Sequence, residues 1–267
     1  MNSNQYVIEP IGYIKSPFAE KFAVPRQSVL IHNGVFEVIF YPPYDNEQAF
    51  VGLEEFSHIY LVFLFHLNKN LNTVINLLEK REQNSNQLDT KSSLSFSSIK
   101  KDFTPMVRPP RLGGNKFKGV FATRSPNRPN NIGLSCVKLL EVKNNNGKVS
   151  LIIEGADLVN NTPIIDVKPY IGFVDSIKDA KSGYATVEPP KIEVVFSEEV
   201  LGFLSNISIA NFKELISEVL SQDPRPAYKQ KSLTDTERVY GVQLYDYNVQ
   251  WKMVSKDVAF VVNIAKV

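Results

Sequence analysis

The segment from Lys100 to Arg128 carries the densest cluster of charged side chains that could bind a ligand. It contains eight lysines and arginines and one acidic residue, so its net charge is +7 in a chain of 267 residues whose total is +2. Prolines and glycines separate the arginines in the run RPPRLGGNKFKGVFATRSPNRPNNIG. Because proline restricts φ and glycine permits close backbone approach, we expect these guanidinium groups to be held in place. Held guanidinium groups suit phosphate or carboxylate recognition, although a solvated basic loop would have the same composition.

A second group of chemically capable side chains is Asp223-Pro224-Arg225-Pro226-Ala227-Tyr228, which follows a predicted helix. A helix end followed by a turn explains the prolines. It does not explain an acid, an arginine and a tyrosine together, which are typical of functional sites. Two further features are weak alone, because Val24-Pro25-Arg26-Gln27 fits an ordinary surface loop and His66 fits a structural histidine at a strand end.

Several classes of protein are excluded by what the sequence lacks. Cys136 is the only cysteine and the three histidines are scattered, which argues against a disulfide or a metal site and fits a reducing, cytoplasmic location. None of the 13 glycines forms GxG, and the GxxxxGK[ST], HExxH and GxSxG motifs are missing. Tyr41-Pro42-Pro43-Tyr44 is similar to the [DNS]PP[YFW] box of amino-methyltransferases, but we interpret it as a proline-terminated strand. We see no signal peptide and no apolar run of about 20 residues, so we expect no membrane partner.

Short strands without intervening helices dominate the first part of the chain. The run Ile59–Phe65 is continuously apolar, so we expect a strand that is buried on both faces. The run Asn144–Gly147 predicts a hairpin turn. This pattern is typical of a mainly β protein, either an antiparallel β-barrel or a sandwich. The predicted strands are Val35–Tyr41, Ile59–Phe65, Gly119–Thr123, Leu134–Val142 and Val149–Glu154.

The composition of the chain changes at three points, which suggests its domain organisation. Residues 68–104 are rich in Asn, Ser and Lys, so we interpret them as a polar insertion with a short helix over Leu71–Arg81. Residues 175–195 are interpreted as a connector. After it, Ile209–Leu220 has helical spacing and Arg238–Tyr247 and Val258–Ile264 are strand-like. We therefore predict a β-barrel domain over residues 1–175 and a small α+β C-terminal domain over residues 195–267.

Taken together, these segments resemble the TsaA family, also called TrmO, of tRNA (adenine-N6)-methyltransferases. The chain departs from the family pattern in its longer 68–104 insertion and in having Asn160-Asn161 where Asp-Gly is expected. The matching stretches, in the family's order, are IGYIKSPFAEKFAVPRQ (11–27), GLEEFSHIYLVFLFH (52–66), RPPRLGGNKFKGVFATRSPNRPNNIGLS (108–135), DLVNNTPIIDVKPY (157–170) and DPRPAY (223–228).

The resemblance implies a fold, a cofactor and a substrate. The fold would be an antiparallel β-barrel that binds S-adenosyl-L-methionine, unlike the Rossmann-type methyltransferases and in agreement with the missing GxG. The protein would be a homodimer with the cofactor near the subunit interface. The substrate would be the anticodon loop of tRNA carrying N6-threonylcarbamoyladenosine at position 37, which would be methylated on N6. The C-terminal domain would help to hold the tRNA.

The resemblance also implies which residues bind the cofactor. Among them, Arg124 or Arg26 could pair with the methionine carboxylate and Asp157 could accept hydrogen bonds from the amino group or the ribose. Leu134 could form an apolar wall for adenine. The full set is Pro25, Arg26, Gln27, His66, Leu67, Arg124, Leu134, Glu154, Gly155, Ala156, Asp157 and Leu158.

The acceptor nitrogen must lose its proton during methyl transfer, so a general base is reasonable. Asp223, Tyr228 and His66 are the candidates, of which we favour the Asp223/Tyr228 region. Arg225 would meet the threonyl carboxylate, and Tyr228 could stack on the base. Phosphates of the anticodon loop would meet Arg111, Lys116 and Arg128.

Two alternatives stay open from the sequence. The chain could be a non-catalytic RNA-binding β-barrel in which the basic segment only grips phosphate, which would leave the Asp223–Tyr228 cluster unexplained. It could also be a methyltransferase that acts on another acceptor.

Overall fold

The computed structural model describes residues 8–68, 104–226, 229–230 and 236–267. The predicted 68–104 insertion and its Leu71–Arg81 helix lie almost wholly outside the described residues. The described strands are β1 Gly12–Lys15, β2 Phe36–Phe40, β3 His58–Leu64, β4 Met106–Val107, β5 Lys118–Gly119, β6 Ile132–Asn145, β7 Lys148–Glu154, β8 Thr162–Pro169, β9 Glu193–Phe196, β10 Tyr240–Leu244, β11 Tyr247–Ser255 and β12 Val258–Lys266. The described α-helices are α1 Gly172–Asp175, α2 Glu198–Leu204 and α3 Phe212–Ser221.

Six strands form a closed antiparallel barrel in the order β1-β2-β7-β6-β3-β8. Alternate residues point inward, as the two-residue period of a strand requires. On β3, for example, Ile59, Leu61 and Phe63 are buried while Tyr60 and Val62 are only partly covered. The predicted antiparallel β-barrel is therefore confirmed. The prediction that β3 is buried on both faces is wrong, because its outward residues form part of the barrel's outer surface.

The β6–β7 hairpin has the turn that its sequence predicts. Asn145 pairs with Lys148, and Asn146 and Gly147 both have positive φ, +56° and +81°. Positive φ at both central positions suits a two-residue hairpin between twisted strands, and Asn and Gly tolerate it best. The Asn144 side chain adds a hydrogen bond from the Gly147 amide, at 2.9 Å.

The predicted strand over Gly119–Thr123 is wrong. Only Lys118–Gly119 pairs, with β4, and Val120–Ala122 then forms a 3-10 turn. Thr123 closes this turn, since both its amide and its hydroxyl donate to the Val120 carbonyl. Local hydrogen bonds have replaced a strand pairing that would need a neighbouring edge.

A second sheet lies in the C-terminal part, with strand order β10-β11-β12-β9 and β9 parallel to β12. Helix α3 buries Phe212, Leu215, Ile216, Val219 and Leu220, which recur at the spacing of one helical face. The predicted helix and the β12 strand are confirmed, although α3 begins three residues later than predicted. The predicted strand Arg238–Tyr247 is divided by a turn at Tyr245, where φ is +52°.

The two sheets share one continuous apolar core. Phe18, just after β1, forms an isolated bridge with Leu244 at the end of β10. None of the described helices is long and apolar enough to cross a membrane.

Candidate cofactor and substrate site

Strand register brings several loops to one end of the barrel. Ile14 pairs with both Val38 and Thr162, and Phe63 pairs with both Gly133 and Ile164. The end of β1, the starts of β2, β6 and β8 and the end of β3 therefore meet there. The β1–β2 loop (residues 16–35), the β7–β8 loop (residues 155–161) and the residues that flank β3 and β6 gather at this site end.

The β1–β2 and β7–β8 loops are bonded to each other. The Val29 amide donates to the Gly155 carbonyl at 2.9 Å, and the Ser16 hydroxyl donates to the Leu158 carbonyl at 2.6 Å. Gly155 has φ +82°, and a Cβ there would lie 3.3 Å from the Val29 backbone. A side chain at position 155 would therefore be strained and would separate the two loops.

The Asn160-Asn161 pair fits the turn where the family pattern has Asp-Gly. The Asn160 side-chain oxygen accepts from the Ser16 amide at 3.1 Å, as an aspartate oxygen could. Asn161 has φ +63°, the left-handed region that asparagine tolerates better than most residues. This departure therefore leaves the turn geometry available.

Asp157 is the most unusual carboxylate at the site end. Ser135 of β6 donates to it at 2.6 Å, and desolvation raises the pKa of Asp157 despite this bond and the nearby Arg124. A carboxylate in such an environment gains from a cation that contacts it directly. Sequence reasoning identified Asp157 and missed Ser135, whose signal is a polar residue at an inward position of a barrel strand.

Arg124 lies between the loops that carry the other predicted cofactor residues. Its Nη1 donates to Oε1 of Gln27 at 2.6 Å, and it interacts electrostatically with Asp157 and with Tyr60 on β3. The structure therefore brings together Gln27, Arg124 and Asp157, which are far apart in sequence. Two guanidinium donors beyond Nη1 are suitably forked for a ligand carboxylate.

Leu134 lies on the outer surface of the barrel, since its neighbours Gly133 and Ser135 point inward. It is 57% exposed and pairs with Val62 across β3. Cys136, the next outward residue on the strand, lies opposite Tyr60, and burial raises the pKa of its thiol. The residue predicted to form an apolar wall for adenine therefore lies on an outward-facing surface of the barrel.

Four predicted cofactor residues already have structural partners or are buried. Ala156 and Leu158 are buried in the core, so only their backbone groups are available to a ligand. Glu154 lies 3.4 Å from both Lys138 and the ring of His32. Pro25 in the β1–β2 loop is also buried.

His66 follows β3 and is half-buried at the site end. Desolvation lowers the pKa of His66, and the positive charge of Lys21 lowers it further. Lys21 also donates to the Leu67 carbonyl at 2.8 Å, which ties the β1–β2 loop to this turn. The imidazole is therefore neutral at physiological pH and can accept a proton.

The basic segment is held as its prolines and glycines predict. The Arg108 guanidinium lies 4.5 Å from the centre of the Phe117 ring, and Arg128 lies 5.9 Å from the centre of Phe121. Arg128 also donates to the Thr123 carbonyl at 2.7 Å, and Arg111 donates to the Val187 carbonyl. Lys116 is exposed on the same segment.

Asp223 and Arg225 form a two-pronged ion pair. Arg225 Nε and Nη2 each lie 2.7 Å from one oxygen of Asp223, and the Arg225 side chain is only 4% exposed. The hydrogen bond to Asp223 raises the pKa of Arg225 against the effect of burial. Gln230 holds the turn by donating to both backbone carbonyls, at 2.7 Å and 2.9 Å.

This ion pair changes the roles expected for its members. A guanidinium with two donors on Asp223 and little exposure is not free to clamp a substrate carboxylate, and a carboxylate with both oxygens so engaged is a poor proton acceptor. The geometry therefore does not favour the predicted roles of Arg225 and Asp223. Tyr228, the third predicted catalytic residue, lies outside the described residues.

The ion pair nevertheless lies within electrostatic reach of Arg26 on the β1–β2 loop. Desolvation lowers the pKa of Arg26, while Asp223 opposes this shift and Arg111 adds to it. Arg26 is therefore within electrostatic reach of both residues. Among residues 8–68, 104–226, 229–230 and 236–267, no group of three or more His, Cys, Asp and Glu side chains is arranged to hold a metal ion.

The fold is thus a closed antiparallel barrel, with Asp157 and Arg124 within electrostatic reach of each other at one end, followed by a small mixed sheet. Residues 13–176 match the model of the tRNA-methyltransferase O N-terminal domain, and residues 189–267 match that of the TrmO C-terminal domain. The chain therefore belongs to the TrmO family.

Individual relatives support this assignment. The chain is 39% identical over 257 residues to the tRNA (adenine(37)-N6)-methyltransferase of Escherichia coli strain K12, covering 95% of this chain and 94% of that protein. It is 38% identical to a putative S-adenosylmethionine-dependent methyltransferase, RcsF, of Pseudomonas aeruginosa, with 97% of each chain covered. A crystal structure of TrmO from Pseudomonas aeruginosa is similar with a TM-score of 0.67, 32% identity and 98% coverage of both chains.

Proposed function

We propose that this protein uses S-adenosyl-L-methionine to methylate N6 of N6-threonylcarbamoyladenosine at position 37 of tRNA. The observation that carries the proposal is the convergence of Gln27, Arg124 and the desolvated Asp157 at one end of a closed barrel. Membership in a tRNA methyltransferase family supplies the reaction class. The division into a barrel domain over residues 1–175 and a C-terminal domain over residues 195–267 is part of the same proposal.

The residues at the site end fit the chemical groups of this cofactor. Asp157 suits its ammonium group, because a cation offsets the cost of a desolvated carboxylate. Arg124 suits its carboxylate, and backbone groups of Gly155 and Ala156 together with Leu134 suit its adenosine part. When bound, S-adenosyl-L-methionine supplies a methyl group that is already activated by a sulfonium. The chain then has to hold the acceptor in line, and good alignment is worth about 7–11 kcal/mol.

We assign proton acceptance at the acceptor nitrogen to His66. Its lowered pKa keeps the imidazole neutral near pH 7. Of the three candidates named from sequence, His66 is the one within the described residues whose proton-accepting atom is not bonded to a cation. The Asp223–Arg225 pair then stabilises its own segment of the chain, rather than taking the proton itself.

We assign the threonyl carboxylate of the substrate to Arg26. Its side chain is exposed to solvent, and attraction to the nearby Asp223 would orient the guanidinium. Phosphates of the anticodon loop would meet Arg111, Lys116 and Arg128, two of which are held by backbone carbonyls. An adenosine in a loop can be turned out of its stack at modest cost.

We also propose a homodimer that buries the outer face of the barrel near Leu134. Phe173 on α1 is 91% exposed, and Ile177 just after α1 is also exposed. Apolar side chains gathered on one face of a protein favour association with a second copy. The cytoplasmic location expected from the sequence also stays a prediction.

The experiment that tests the proposed function compares the tRNA nucleosides of cells with and without the gene by mass spectrometry. Loss of the methylated threonylcarbamoyl nucleoside in the deletion, with recovery on complementation, is the expected result. Purified protein should methylate tRNA that carries the threonylcarbamoyl group and leave tRNA with unmodified adenosine 37 unchanged. Methylation of a different nucleoside would replace the acceptor, and salt-sensitive RNA binding without cofactor binding would favour a non-catalytic barrel.

A further inference from the structure

Helix α3, in the C-terminal part of the chain, holds the β1–β2 loop by hydrogen bonds to one carboxylate. Oε2 of Glu218 accepts hydrogen bonds from the amides of His32 and Asn33, both at 2.9 Å. Oε1 accepts from the side-chain amide of Asn33 at 3.0 Å. Three donors on one partly buried carboxylate fix two consecutive loop residues. These bonds join positions 185 and 186 residues apart in sequence.

The turn between β10 and β11 forms hydrogen bonds with the same loop near both of its ends. The Tyr245 hydroxyl accepts from the Val35 amide at 3.0 Å, and the Tyr245 amide donates to the Pro17 carbonyl at 2.7 Å. Tyr245 itself is held with φ +52°. The C-terminal part of the chain therefore contacts the loop near its start, at Pro17, and near its end, over residues 32–35.

Packing reinforces these hydrogen bonds at Gly34. This residue has φ +110°, and a Cβ there would lie 3.3 Å from Leu215 of α3 and 3.4 Å from Pro17. A glycine is needed both for the backbone conformation and for the close approach of the helix. The loop therefore lies tightly against α3 where Glu218 binds it.

His32 and Val29 connect the anchored part of the loop to the residues proposed to bind the cofactor. The ring of His32 lies 3.4 Å from Glu154, at the end of β7. The Val29 amide bonds to Gly155, two residues before Asp157. Arg26 and Gln27 lie on the part of the loop between these contacts and the anchor at Pro17.

We propose that Glu218 and Tyr245 are positioning residues that lock the β1–β2 loop in the conformation that binds the methyl donor. This inference rests on the proposed function for the identity of that ligand. Neither residue touches the site, so each acts through the loop. A loop that is already ordered loses less conformational entropy on binding, and affinity rises accordingly.

The test compares Glu218→Ala, Glu218→Gln and Tyr245→Phe with the control Glu214→Gln, an exposed position one turn earlier on α3. Two quantities are measured well below the melting temperature of each variant. One is the dissociation constant for S-adenosyl-L-methionine by calorimetry. The other is amide hydrogen exchange at Val29 in protein without cofactor. The Val29 amide is bonded to Gly155 rather than to Glu218, so it reports on the whole loop.

We expect Glu218→Ala to weaken cofactor binding by about tenfold and to speed Val29 exchange, since a loosened loop must lose more conformational entropy on binding. Glu218→Gln keeps one acceptor oxygen, so its cofactor affinity and its Val29 exchange rate should lie between those of Glu218→Ala and wild type. Tyr245→Phe should resemble Glu218→Gln, and Glu214→Gln should match wild type. Should Glu218→Ala not fold, Glu218→Gln and Tyr245→Phe carry the test.

Unchanged cofactor affinity and unchanged Val29 exchange in the Glu218 and Tyr245 variants would overturn the inference. Faster exchange at His32 and Asn33 alone would also overturn it, because only the deleted hydrogen bonds would then have been lost. Wild-type protein that binds no S-adenosyl-L-methionine would instead overturn the proposed function. The two failures are therefore distinguishable in the same set of measurements.

Discussion

Two aspartates that the sequence singles out have opposite environments. Asp223 has a cation bonded to both of its oxygens, whereas Asp157 has a serine hydroxyl as its close side-chain partner and a raised pKa. A carboxylate that is neutralised within the fold contributes to structure. A carboxylate that is left desolvated costs stability and becomes useful when a cationic ligand arrives. Asp223 is therefore the aspartate with a structural partner, and Asp157 is the one we propose for ligand binding, although sequence reasoning treated both as site groups.

The largest expected effect comes from removing the cation of the paired aspartate. Arg225→Ala leaves Asp223 mostly buried without its partner, which should destabilise the protein by about 3–5 kcal/mol. Chemical denaturation monitored by circular dichroism measures this loss. Asp223→Asn combined with Arg225→Met, which removes both charges, should recover part of it.

A loss below about 1 kcal/mol for Arg225→Ala, the size typical of an exposed pair, would contradict the role of the pair in the fold. Exposed Lys168, which lies 2.8 Å from Asp166, offers the matched comparison. Lys168→Ala should change stability little.

The second expected effect concerns Asp157, the aspartate that has no cation bonded to it in the fold. Asp157→Asn should weaken binding of S-adenosyl-L-methionine by about 10- to 100-fold, as expected for the loss of a charge-assisted hydrogen bond of about 1.5–3 kcal/mol. The same variant without cofactor should be at least as stable as wild type at neutral pH. Calorimetric titration and thermal unfolding check the two outcomes, with Glu141→Gln on the exposed face of β6 as control.

The pH dependence of stability follows from the direction of the Asp157 shift. Because its folded-state pKa is raised above the ordinary 3.8, the folded protein binds this proton more tightly than the unfolded chain. Its contribution is therefore most favourable at low pH and is lost as pH rises through the folded-state pKa. Asp157→Asn should remove this loss of folding stability at high pH. If the variant is less stable than wild type at pH 7, the explanation is wrong.

The smallest expected effect is a shift in a pH profile that depends on His66. Its pKa is lowered below 6.5, so neutral imidazole should persist to more acidic pH than in a free histidine. The acid limb of the kcat/KM profile should therefore fall below pH 6.5, and His66→Gln should abolish that limb. A profile that keeps the same limb in His66→Gln would assign it to another group.

Local sequence patterns predicted the local parts of the fold. The β6–β7 turn was predictable because Asn146 and Gly147 suit positive φ, and α3 was predictable because one apolar face recurs at helical spacing. Strand β8 was missed, since Pro163, Asp166 and Lys168 interrupt its alternation. The false strand after Gly119 shows the reverse error, because β-favouring residues without a partner strand form a local turn.

The candidate site was predictable only through its resemblance to a family. Composition and spacing identified Arg124 and the Asp223–Arg225 group as capable side chains, but they gave no contact between residues 27 and 124. Such contacts depend on barrel closure and register, which bring together chain segments that no local pattern relates. Glu218 and Tyr245 carried no signal at all, because a glutamate on a helix surface and a tyrosine in a turn are common.

The single sulfhydryl of the chain, at Cys136, has a practical consequence. It faces outward on β6 near the apolar surface assigned to the second subunit, and burial raises the pKa of its thiol. A thiol-specific dye can therefore be attached at one defined position without any mutation. The rate of that attachment, followed as protein concentration rises, gives a direct readout of whether this face becomes covered when two copies meet.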